Sequence, residues 1–110
     1  MSFPSSNANG TQTATITTEH TLATITTVGT FLLNVDTSNM VNGDTVELRV
    51  KKKVLTGGSA VTVAIASFSN VQADPVKISV PIVSLYSFVG TLKQTAGTGR
   101  NFDWNIEQIA

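Results

Sequence analysis

The chain has one histidine, His20, so any serine–histidine–aspartate relay would have to run through it. His20 stands between two threonine-rich stretches in what reads as an exposed turn, and hydroxyl side chains are so abundant around it that their nearness specifies nothing. The carboxylates Glu19, Asp36, Asp44, Glu47, Asp74, Asp103 and Glu107 are scattered over turns and wet strand faces, with no spacing that singles out a glycosidase pair. Asp36 to Asp44 supplies oxygen atoms and a glycine but lacks the spacing and closing glutamate of a calcium loop. A polar turn whose Asp and Asn side chains bond nearby backbone N–H groups is the better reading. Gly97, Gly99 and Arg100 hint at a phosphate loop, yet no Gly-Lys-Ser/Thr follows and a strand, not a helix, comes next. With no cysteine there is neither a disulfide framework nor a thiolate metal site. The residues therefore point to no catalytic, cofactor-binding or metal-binding site, and the chain is expected not to be an enzyme.

Seven basic residues balance seven acidic ones, which gives no electrostatic case for nucleic acid or an anionic membrane as main partner. The balance is uneven along the chain. Arg49, Lys51, Lys52 and Lys53 fall within five residues, while the first 48 residues hold no lysine or arginine. Strand alternation makes Arg49, Lys51 and Lys53 a stripe on one face and turns Lys52 inward near the strand end, where its long stem can snorkel out. Edge protection or solvation is the leading reading of this stripe, ahead of an acidic protein partner. Nucleic acid comes last, because interleaved stacking aromatics are missing. Ten of the 17 threonines lie between Thr11 and Thr30, a segment without Lys, Arg or Pro to discourage strand pairing. Candidate interface residues are therefore Thr15, Thr17, Thr24 and Thr26 together with Arg49, Lys51 and Lys53.

The elements that must position these residues are strands. At 110 residues the chain makes one domain. Residues 1–12 are small and polar, without the pattern of a signal peptide, and read as a flexible N-terminal arm; residues 13–110 read as a single β-sandwich domain. No run of eighteen apolar residues occurs. The pentapeptide Ala14–Thr18 recurs as Ala23–Thr27, which suggests a hairpin around Glu19-His20 or two strands of separate sheets. Phe31, Leu33 and Val35 alternate with Leu32 and Asn34, and Val46, Leu48 and Val50 alternate with Glu47, Arg49 and Lys51. Further strands are read at Val61–Ile65, at Val76–Ile82 with Pro75 and Pro81 marking an edge, at Phe88–Leu92, and at Phe102–Ile106. Leu32, Leu55, Val71, Val83, Leu85 and Tyr86 read as outward apolar residues, more than a solitary domain requires; they make either a patch that a symmetric oligomer buries or side chains that the two inward faces of a sandwich take into its own core. About eight short strands with turn signals every eight to twelve residues specify an all-β, antiparallel sandwich, with a jelly roll as the specific expectation.

Gly29-Thr30-Phe31, Val35–Met40 and Gly43–Arg49, with the later run Leu92–Arg100 and Phe102-Asp103-Trp104, resemble small proteins encoded among the structural genes of tailed bacteriophages. The likeness covers most of Thr21 to Ile109. It implies a non-enzymatic virion component without cofactors: a capsid decoration or cement protein on the outer surface of the head, assembled in the host cytoplasm. The implied partners are the major capsid protein or other virion proteins and further copies of the chain, a homotrimer first among the oligomers. The alternative it implies is a neck, tail or head-fibre module, and a glycan-binding tip would draw on the rings of Trp104 and Tyr86. Alternation with Phe102 and Ile106 nevertheless places Trp104 in the core.

Overall fold

The computed structural model describes residues 3–110, and these contain nine strands and no helix. In chain order they are β1 (Ser5–Thr13), β2 (Glu19–Ile25), β3 (Gly29–Asp36), β4 (Thr45–Lys52), β5 (Val61–Ser69), β6 (Val76–Ile78), β7 (Ile82–Ser84), β8 (Phe88–Ala96) and β9 (Asn101–Gln108). Two antiparallel sheets pack face to face. Sheet A has the order β1-β9-β3-β6, with β7 also on β3; sheet B has the order β2-β8-β4-β5. Taking β6 and β7 as one interrupted edge strand leaves eight positions, and the chain crosses between sheets at every connection except β4–β5 and the β6–β7 break. That order is a jelly roll. The break falls at Ser79-Val80-Pro81, where proline has no N–H to give to the ladder.

The alternations of β3 and β4 face the core as their periods require: Phe31 and Val35 are fully buried, as is Val46, with Leu33, Leu48 and Val50 nearly so. Phe88 and Leu92 of β8 meet them from sheet B, and Phe102 and Ile106 of β9 from sheet A, with Trp104 packed against this cluster. Strand β5 runs the other way round. In register with Val50, Leu48 and Val46 are Ala64, Ala66 and Phe68, so two alanines and Phe68 face in, while Val61, Val63 and Ile65 stay exposed.

Two readings of the sequence need correction. Ser5–Thr13 is not an arm: it is an edge strand paired with β9 from Ser5↔Gln108 to Thr13↔Asn101. Side-chain hydrogen bonds stand in for an apolar stripe. The hydroxyls of Ser6, Thr11 and Thr13 donate to Asn105, Asp103 and Asn101 at 2.6, 2.6 and 2.7 Å, cross-strand pairs that pin the register. Residues 1 and 2 of the expected arm lie outside the described residues. Nor do Glu19-His20 form a turn, because they open β2; the first copy of the repeat, Ala14–Thr18, is the turn instead. Thr17 there has a positive φ of 65°, and the second copy supplies Ala23, Thr24 and Ile25 to β2.

The connection from β8 to β9 is held by two buried polar side chains. The Gln94 amide donates to Ala96 O and Thr98 O at 3.0 and 2.8 Å and accepts from Arg100 N–H at 3.0 Å. Asp44, 1% exposed, accepts from Val41 N–H at 3.0 Å, Thr98 N–H at 3.3 Å and Arg100 Nε at 2.8 Å. Gly97 passes this carboxylate with φ 90°, and a Cβ there would stand 1.9 Å from Asp44 Oδ1. Gly97→Ala is therefore expected to cost on the order of 3 kcal/mol, read as a lower urea midpoint at unchanged slope.

Candidate functional site

The loops divide between the two ends of the sandwich. Ile25 and Lys52 both lie opposite Phe88, and Gly29 lies opposite Ser84, so the β2–β3, β4–β5 and β7–β8 connections emerge together. This end carries Val28, Val54, Leu55, Val83, Leu85 and Tyr86, exposed at 63, 70, 71, 60, 57 and 37%. Local sequence explains their position. Val54-Leu55 precedes the Gly57-Gly58 turn, and Leu85-Tyr86 lies in the bend between β7 and β8. Ser84 and Ser87 flank Leu85-Tyr86, and their buried hydroxyls find no hydrogen-bond partner among the described residues. The opposite end is built from Asp36, Asn39, Asn42, Asp44, Asn70 and Arg100, with Val41 and Val71 as its exposed large apolar residues.

The basic run meets the apolar end. Lys52 faces inward on β4 and its ammonium donates to the carbonyl of Val83, the snorkelling expected of a lysine at a strand end. Lys53 follows it, half-buried.

The other proposed interface residues come together only in part. Arg49 and Lys51 share the outer face of sheet B with Thr24, but both cations are partnered: Arg49 Nη2 lies 2.6 Å from Glu47 Oε1, and Lys51 Nζ lies 3.1 Å from Glu19 Oε2. A hydrogen bond from the Thr91 hydroxyl, with the nearby Lys51 ammonium, holds the Glu19 carboxyl below its ordinary range. Arg49 and Lys51 are thus paired within this face, which also carries Lys93 in register between Glu19 and Glu47, rather than forming a free basic stripe. Thr15 and Thr17 lie in the β1–β2 turn at the polar end, whereas Thr26 and Lys53 lie at the apolar end.

His20 has a structural part: its Nε2 accepts the N–H of Thr15 at 3.0 Å and closes the β1–β2 turn. Asp36 accepts from the N–H and hydroxyl of Ser38, so the 36–44 segment is a side-chain-capped turn. Among the described residues no three acidic or histidine side chains gather as metal ligands would. Trp104 packs against the core from β9 while Tyr86 stands at the apolar end, so the two rings do not make one stacking site.

Sequence reasoning named Leu55, Val83, Leu85 and Tyr86 as outward apolar residues without uniting them. Val28 and Val54 it missed, since a lone valine in a loop carries no periodic signal. Comparisons with protein-family models, curated proteins and solved structures gave no match.

Proposed function

We propose that this chain is a non-enzymatic virion structural protein of the capsid-decoration type, which binds the outside of a phage head as an oligomer, a trimer first. One observation carries the assembly reading: six large apolar side chains stand exposed at one end of a small jelly roll, next to Lys52 and Lys53. Large apolar side chains gathered at one end of a small domain mark a surface that another protein covers. The likeness of the strand-edge and turn motifs to tailed-phage structural proteins supports the virion setting. Repetition supplies the rest, because several weak contacts made together by one oligomer give strong retention on a repeating shell.

Light scattering of the purified protein is expected to give a trimer, and co-sedimentation is expected to show it retained on shells of its own particle. Leu55→Lys is expected to reduce shell retention at least about tenfold while leaving the melting midpoint within a few degrees, since exposed substitutions change stability by only about 0.5 kcal/mol. A monomer with no affinity for the shells overturns the reading.

A further inference from the structure

Away from the apolar end, on the side of the sandwich where β5 and β6 form the edges, the two sheets part. They leave a cleft of about 210 Å³. Leu33, Leu48 and Val50 make its floor, and Ala64, Ala66 and Phe68 of β5 make one wall. The space exists because of the inverted alternation of β5: alanines face in where larger side chains would close the gap. The recess is open to solvent along its mouth, with Ile65, Ile78 and Val80 at its rim, but its lining is almost wholly apolar, and an apolar cavity of even about 150 Å³ takes up hydrocarbon ligands. It is also smaller than the roughly 300–1,000 Å³ of pockets that hold drug-sized molecules, so its occupant is slender.

One charge enters this recess. Lys77 lies opposite Val35 in register and therefore points between the sheets, and its Nζ stands 4.7 Å from the centroid of the Phe68 ring. Among the described residues no carboxylate forms an ion pair with it. Ser79, the other polar side chain of the lining, is already engaged, accepting from Leu33 N–H at 2.9 Å and donating to Val80 O at 3.1 Å. An apolar slot with a single unpaired ammonium is complementary to a hydrocarbon chain ending in an anion.

We infer that this cleft is a binding site for a medium-length, single-chain alkyl carboxylate, with the carboxylate on Lys77 and the chain between Val50 and Ala64–Ala66. The site is independent of the assembly surface and goes beyond the decoration reading.

The test is a titration of the isotopically labelled protein with decanoate, kept below its micelle concentration and followed by NMR. Saturable shifts are expected at the methyl groups of Leu48, Val50, Ala64 and Ala66, with a Kd on the order of 100 µM. Lys77→Met, which keeps the apolar stem, is expected to weaken decanoate about tenfold and to abolish its advantage over decanol. Ala66→Leu fills the slot and is expected to remove binding without lowering the melting midpoint. The inference is overturned by shifts that do not saturate or that map elsewhere. Equal affinity for decanol or decyltrimethylammonium overturns it too, as does binding only to phospholipid vesicles. Protection of the cleft by protein concentration alone would mean that a second copy occupies it, and overturns it likewise.

Discussion

Asp44→Ala is expected to lower the thermal midpoint at pH 7 by about 10–20 °C, from a cost of about 2–4 kcal/mol in a domain of this size. The carboxylate is 1% exposed and accepts from two backbone N–H groups and the Arg100 guanidinium. Alanine leaves Val41 N–H and Thr98 N–H without their acceptor and frees the β8–β9 connection. Arg100 is 29% exposed at its side chain and regains water, which keeps the loss below that of a fully buried pair. The same group gives the protein an acid limb. Burial pushes the Asp44 carboxyl up, but hydrogen bonds from Val41 and Arg100, with Thr98 and the Arg100 charge, outweigh it and leave the group below its ordinary value. A depressed folded value means that the unfolded chain binds the proton more readily. The contribution of Asp44 is therefore complete above about pH 4 and disappears as pH falls through the folded value. Calorimetry from pH 5 to 2 is expected to show a steeper fall in midpoint for the natural protein than for Asp44→Asn. Parallel curves would remove Asp44 as the source of the acid limb.

The largest loss is expected from Phe31→Ala, about 3–5 kcal/mol, against a total stability of about 5–15 kcal/mol for a domain. Phe31 has no exposed surface, and its ring centroid lies 5.6 Å from that of Phe88 at an interplanar angle of 43°. Its removal opens a cavity between the sheets and ends an aromatic contact that joins β3 to β8. In register it faces Ile82 of β7 on one side and Gln108 of β9 on the other, so the hole lies where three strands of sheet A meet. Phe31→Leu is expected to recover more than half of the loss. Urea unfolding checks both substitutions, and a loss below about 1 kcal/mol for the alanine variant would show that the neighbouring side chains collapse into the space.

Legibility in the sequence followed the strength of alternation. In β3, β4, β8 and β9 one face is apolar over at least three successive positions, and each was readable with its inward residues. Strand β1 was not, because Ser5–Thr13 offers Ala8, Gly10 and Gln12 to the interior and holds its place by hydroxyl and amide pairs that only the register of β9 reveals. Identical pentapeptides took different shapes because Ala14 caps the core at a turn, bonding through its N–H to Arg100 O at 2.9 Å, while Ala23 lies in a ladder opposite Gly90. The basic run was visible, but its partners were not. Glu19 reaches Lys51 across the intervening strand β8, a neighbourhood that depends on sheet order and not on spacing. The apolar end was hidden for a related reason: its residues come from three loops and the adjoining strand β7, separated by dozens of positions.

The strand order also bears on how the chain reaches its native state. Of all consecutive strands only β4 and β5 pair with each other; β1 waits for β9, β2 for β8, and β3 is completed by β6, β7 and β9. The β4–β5 hairpin is the one ladder that can form early at small loop-closure cost, and folding is expected on the millisecond-to-second scale typical of non-local β topologies. During synthesis, β1 leaves the ribosome long before its partner exists. Its serine, threonine, asparagine and glutamine side chains then serve a second purpose, keeping an unpaired strand soluble while it waits, where an apolar strand in that place would invite aggregation.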